Sequence, residues 1–263
     1  MSNMTIGATD AGGDERRVVA LEAVHNFRDL GGYTMADGRA TAWGRVFRAD
    51  GLQRLTDDDL DVIDAIGIRT VIDLRTSGEI ETRGTFPVEK LPVAWHHLSI
   101  IDATWHDTGV PDFPDDEQGG IDFLVWAYRD MLDQGADRFA HAFSLLSVPA
   151  AAPAVFHCAA GKDRTGLLAA LILGGLGVDL DVIAADFGLT LDAMDRLRAW
   201  LGRADPSALE AMNGRPAMMF GAHPTAMRQI LAELIDAHGS IRGYLASIGV
   251  GAATLEALAT QLT

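Results

Sequence analysis

Cysteine is nearly absent. The only one in 263 residues is Cys158, so no disulfide can form within the chain, and an oxidised Cys158 would have no resolving thiol, which suits a reducing interior. Basic residues are also few: 21 Lys and Arg face 37 Asp and Glu, a formal charge of -16. A surface of that sign disfavours nucleic acid and anionic membranes, and its long-range field repels phosphorylated ligands, so any anion site must act at short range. No apolar run approaches the roughly 18 residues expected of a membrane-spanning helix. The opening MSNMTIGATDAGGDERRVVA lacks the apolar core of a secretion signal. The expectation is a cytoplasmic chain without stable membrane insertion, disordered over residues 1–17.

What the chain does have is a core-forming composition, 48% hydrophobic and 22% charged, enough for one domain over residues 18–263. Asp37-Gly38, between Tyr33 and the segment 40–43, is the chemistry of a tight hairpin turn. Thr56 followed by Asp57, Asp58 and Asp59 reads as an N-cap with acids in the first helical turn, and that reading outweighs a metal site. Segments 71–74 and 93–101 read as strands; 121–132, 138–146, 178–187, 191–201, 225–237, 240–248 and 254–262 read as helices. This alternation predicts an α/β fold: a single domain with a mostly parallel central sheet flanked by helices, and extra helices toward the C-terminus. His96, His97, His106 and Asp107 fit no closed zinc spacing, so no metal is expected there. Met212, Met218 and Met219, around an Asn213-Gly214 turn, mark a candidate helical lid within 188–222.

The chemistry concentrates in His157-Cys158-Ala159-Ala160-Gly161-Lys162-Asp163-Arg164-Thr165-Gly166. Ala154-Val155-Phe156 ahead of it has the character of a buried strand, and the apolar run 167–176 behind it that of a buried helix, so these residues form a strand-to-helix turn. Gly161 and Gly166 let the backbone curl, so that the amides of the loop, Ala159 and Ala160 included, converge on an anion at a helix N-terminus. Arg164 can hold two oxygens of a tetrahedral dianion above Cys158, and the same groups stabilise negative charge on the sulfur. Cys158 therefore reads as an activated nucleophile. Asp73 and Arg75, at the carboxyl edge of the sheet, read equally as support for this loop or as a plain ion pair.

HCAAGKDRTG resembles the signature HCxxGxxR[ST]G of cysteine-dependent protein tyrosine phosphatases, in the bacterial form with KDR. Asn26-Phe27-Arg28-Asp29 with Gly31-Gly32, then 45–48, 71–75 and 239–245 are similar to blocks of that subgroup in the same order. The resemblance implies hydrolysis of phosphomonoesters without a cofactor or metal, through attack of Cys158 on phosphorus, with Arg164 and the loop amides binding the equatorial oxygens. His157 would hold the loop, Thr165 would donate to the sulfur, and Gly166 would complete the cradle. Lys162 would add a second cation, linked in the relatives with highly charged lipid headgroups. Asp102, after the 93–101 strand, is the general acid by position, with Asp163 as its rival.

The implied ligands are a phosphorylated protein, with phosphotyrosine foremost, or a phosphoinositide, and phosphate as product or bound anion. A sulfurtransferase would carry a shorter loop without the terminal arginine. A pseudophosphatase that only binds phosphorylated partners fits poorly with an intact Cys158 and Arg164. The oligomeric state is not legible.

Overall fold

The computed structural model describes residues 14–103, 110–213 and 220–263. Five strands, β1 (Arg28–Asp29), β2 (Val46–Ala49), β3 (Thr70–Asp73), β4 (Ala94–His97) and β5 (Ala154–His157), form one sheet in the order β1-β2-β5-β3-β4. β2, β5, β3 and β4 run parallel, and only the edge strand β1 is antiparallel. The registers set Ala49, His157, Asp73 and His97 side by side at the carboxyl edge. Whatever follows β5 is thus delivered to the middle of that edge, where ligands of open parallel sheets bind.

The central strands β2, β3 and β5 are buried at every position because both of their faces are covered. Alternate residues go to opposite sides: Val46, Ile72 and Phe156 join one core cluster, while Phe47, Val71 and Val155 join the other. The second cluster is closed by α1 (Asp57–Ile66) through Leu60 and Ile63. Thr56 and Asp59 form a reciprocal capping box at its start, and Gly67, at φ 77°, ends it. The three acids are not equivalent: Asp59 is buried and also accepts the backbone N–H groups of Glu22 and Ala23.

The larger cluster surrounds α5 (Asp163–Leu176), which α3 (Glu117–Gln134), α4 (Ala136–Leu146), α9 (Pro224–His238), α10 (Ile241–Ser247) and α11 (Ala252–Leu262) enclose. Phe156, Leu168, Leu171 and Ile172 are fully buried here, each worth about 2 kcal/mol in apolar transfer. The remaining described helices are α2 (Ser77–Arg83), α6 (Leu180–Gly188), α7 (Thr190–Ala204) and α8 (Pro206–Asn213). No described helix is long and apolar enough to cross a membrane.

Three expectations shift. Order begins before Val18: Glu15–Arg17 form a 3-10 turn, and the buried Arg17 donates to the carbonyls of Asp29 and Gly31. The earlier part of the expected disordered segment lies outside the described residues. β4 is shorter than 93–101, because past His97 the chain turns inward to bury Leu98, Ile100 and Ile101 as irregular structure. Gly166 does not shape the loop but lies in the first turn of α5, where a Cβ would stand 2.9 Å from the Phe187 ring.

Candidate active site

Cys158 is the first residue beyond β5, and α5 begins five residues later at Asp163. The intervening peptides are held by their carbonyls. Gly51 N–H donates to Ala159 O at 3.2 Å. Asn26 Nδ2 donates to Ala160 O at 3.1 Å and to Gly161 O at 2.9 Å, and Arg48 Nη2 also reaches Gly161 O at 2.9 Å. In a trans peptide the C=O and N–H point opposite ways. Three carbonyls turned outward therefore turn the N–H groups of Ala160, Gly161 and Lys162 inward, beside the unpaired first-turn amides of α5. That is a cradle for an anion. Gly161 is needed twice over: its φ is +62°, and a Cβ would come within 2.5 Å of the Ala49 carbonyl oxygen.

The bracing behind the loop is ionic and buried. Asp186 of α6 accepts from Arg48 Nη1 at 2.6 Å, Arg28 Nε at 3.0 Å and the Tyr33 hydroxyl at 2.8 Å. Burial pushes toward the neutral acid, yet the two guanidiniums hold Asp186 far below the usual carboxylate range. Burial and the like charge of Arg28 pull Arg48 down to about 10. Asp50 fixes the neighbouring segment by accepting the N–H groups of His25 and Asn26 at 2.9 and 2.8 Å.

Arg164 is held by a residue that sequence reasoning missed. Glu79 accepts from Nη1 at 2.5 Å and Nη2 at 3.0 Å, which spends the end of the guanidinium and leaves its Nε side for an anion. Burial works against the Arg164 charge, but Cys158 and Glu79 outweigh it and raise the group above its ordinary value. Burial likewise opposes ionisation of Glu79, and Arg164 prevails, bringing it down to about 2. The Thr76-x-x-Glu79 spacing is a capping-box signal, and the box forms at α2. It marks the helix start without revealing the partner.

The remaining candidates fall as follows. Asp73 and Arg75 form the ion pair, at 2.6 Å; Asp73 Oδ2 also lies 3.5 Å from His157 Nε2, and Arg75 donates to Gly84 O at the end of α2. His157 touches the loop only through a long 3.4 Å contact from Nδ1 to Cys158 O, and burial lowers its pKa, so it stays neutral. Thr165 Oγ1 is buried and has no hydrogen-bond partner among the described residues. Lys162 is buried, with Nζ donating to Gly221 O at 2.9 Å and lying 3.5 Å from Asp163 Oδ1. Asp163 also accepts from the Tyr128 hydroxyl at 3.0 Å. Asp102 is exposed, five residues past the end of β4 rather than at a strand end. His106, Asp107, Met218 and Met219 lie outside the described residues. Among the described residues no three His, Cys, Asp or Glu side chains converge.

One residue of the loop packs against α7. Met194, Leu197 and Leu201 of α7 form a small core with Trp200, Leu209, Met212 and Phe220, and Ala160 of the loop packs into it. Cys158 itself is 2% exposed, in the larger core cluster.

A sulfur at the foot of an amide cradle, with a guanidinium aimed by a carboxylate, is the site of a cysteine-based phosphatase class. A model of the tyrosine phosphatase family matches residues 19–263, and the chain belongs to that family. It is 29% identical over 269 residues to the triple specificity protein phosphatase PtpB of Mycobacterium tuberculosis, covering 89% of this chain and 95% of that one. It is 28% identical over 225 residues to a tyrosine-protein phosphatase of Nostoc commune, covering 82% and 73%.

Proposed function

We propose that this protein hydrolyses phosphotyrosine in proteins through a cysteinyl-phosphate intermediate, without a metal. The observation that carries the reading is the set of outward carbonyls at Ala159, Ala160 and Gly161, which leaves the facing amides and Arg164 as an anion site directly over Cys158. The sulfur attacks phosphorus while the amides and Arg164 take up the charge of the equatorial oxygens. Thr165, whose hydroxyl is unpartnered, donates to the sulfur as the intermediate is hydrolysed. Two carboxylates compete for the proton transfers. Asp163 is supported by its place beside Arg164 and its fixed orientation; Asp102 is supported only by its exposure and its place in the chain after β4. The α7–α8 segment acts as a lid, a reading supported by the packing of Ala160 of the loop into its small core and by the burial of Cys158. We place the protein in the cytoplasm.

Lys162 favours a second reading. A buried ammonium inside the loop suits a substrate with more than one phosphate, and the PtpB relative is named for triple specificity. Turnover of a phosphotyrosine peptide, p-nitrophenyl phosphate and a phosphoinositide should be measured side by side. Vanadate-sensitive hydrolysis with the peptide preferred is expected; preference for the lipid would favour the second reading, and a folded enzyme inert on all three would refute both.

A further inference from the structure

We propose that Tyr128 is a positioning residue for the proton transfers of this reaction, acting through Asp163. The proposal rests on the phosphomonoesterase reading and deepens it. Tyr128 is fully buried on α3, among Leu124, Ala127 and Met131 of the same helix, where a phenol is not needed for packing. Its hydroxyl does not turn to a backbone carbonyl. It donates across 35 positions of sequence to Asp163 Oδ1, at 3.0 Å. Its ring is fixed as well, edge-on to Phe187 at 6.1 Å and 88°, and Phe187 occupies the space that Gly166 leaves open.

The contact selects one oxygen of the carboxylate. Both the Tyr128 hydroxyl and the Lys162 ammonium address Oδ1, and the Asp163 side chain is 19% exposed. Oδ2 has no partner among the described residues and is the oxygen left for substrate. Tyr128 is not itself the proton donor: burial, reinforced by the Asp163 charge, raises its pKa well above 10.0, so it keeps its proton throughout.

In the first step a sulfur lone pair forms the S–P bond as the P–O ester bond breaks. The ester oxygen leaves with that pair and takes a proton from the Asp163 carboxyl. In the second, water attacks phosphorus, the S–P pair returns to sulfur, and the water proton passes to the Asp163 carboxylate. A carboxylate free to rotate would present Oδ2 correctly for only part of the time.

The test is Tyr128→Phe, which keeps the ring, assayed on phenyl phosphate and p-nitrophenyl phosphate. The ratio of the two rates within one preparation is independent of the folded fraction. General acid catalysis matters most for the poorer leaving group, so kcat/KM should fall about tenfold for phenyl phosphate and about twofold or less for p-nitrophenyl phosphate. Asp163→Asn should show the same bias, and adding Tyr128→Phe to it should cost nothing more. Equal losses on both substrates, or a further loss in the double variant, would overturn the proposal. So would an Asp163→Asn enzyme with parental rates on both, although a phosphorylated Cys158 trapped in that variant would leave the phosphatase reading standing.

Discussion

The carboxylate of Glu79 meets the end of the Arg164 guanidinium in two hydrogen bonds, and so sets the angle at which the opposite edge faces the anion site. The two residues stand 85 positions apart in the chain, on the first turns of α2 and α5. Glu79→Gln keeps the shape but loses the charge and one acceptor oxygen. It should lower kcat about 10- to 100-fold with a smaller change in KM, because aim matters more in the transition state than in binding. Steady-state kinetics on p-nitrophenyl phosphate check this; a variant with parental kcat would remove Glu79 from the account.

The same pair sets an acid limb of stability. Glu79 titrates at about 2 in the fold against 4.5 for the free group. A depressed folded value means the unfolded chain binds the proton first, so the stabilisation is complete above about 4.5 and is lost as pH falls toward 2. Denaturant midpoints taken across that window should fall less steeply in Glu79→Gln than in the parent. Parallel curves would count against it.

Asp186 is the counterion shared by two buried arginines, so removing its charge is costly in a way that its position on an ordinary helix conceals. Asp186→Asn should destabilise the fold by about 3 kcal/mol or more, because Arg28 and Arg48 are left with like charges and no counterion. In a chain of this size that lowers Tm by on the order of 10 °C. A calorimetric scan within two or three degrees of the parent would contradict it.

Gly166→Ala drives a methyl into Phe187, with the Cβ at 2.9 Å from Cδ2 and Cε2. The expected cost is about 1–3 kcal/mol. Phe187→Leu, destabilising by itself, should recover part of that cost when combined with it, which a double-mutant cycle in denaturant measures. Simple additivity of the two would place the strain elsewhere.

The strand, turn and helix around Cys158 were legible because the whole signal is local. An apolar strand, a left-handed glycine and an apolar helix adjoin in sequence, and the spacing from Cys158 to Arg164 then fixes the cradle. The groups that aim the cradle were not legible, because each acts across a large gap. Asn26 and Arg48 were visible only as parts of blocks similar to a known family, with nothing to say that they hold carbonyls of the loop. Asp186 in Ala184-Ala185-Asp186-Phe187 is an acid among apolar neighbours, a signal of a buried partner, but its two arginines sit on strands more than 130 positions away. Tyr128 was one position in the helical stretch 121–132, with nothing local to point to Asp163. Local periodicity also misled: the β-rich run past His97 is apolar because it is buried as loop, and this moved Asp102 off a strand end.

The most direct measurement is a rapid acid quench of the enzyme during turnover of a phosphotyrosine peptide, followed by mass spectrometry of the peptide that contains residue 158. The expected result is one added phosphoryl group on Cys158 in the parent, and neither adduct nor turnover in Cys158→Ser. Undiminished turnover in the serine variant, or phosphate appearing with no phosphocysteine at any quench time, would contradict the mechanism at its root.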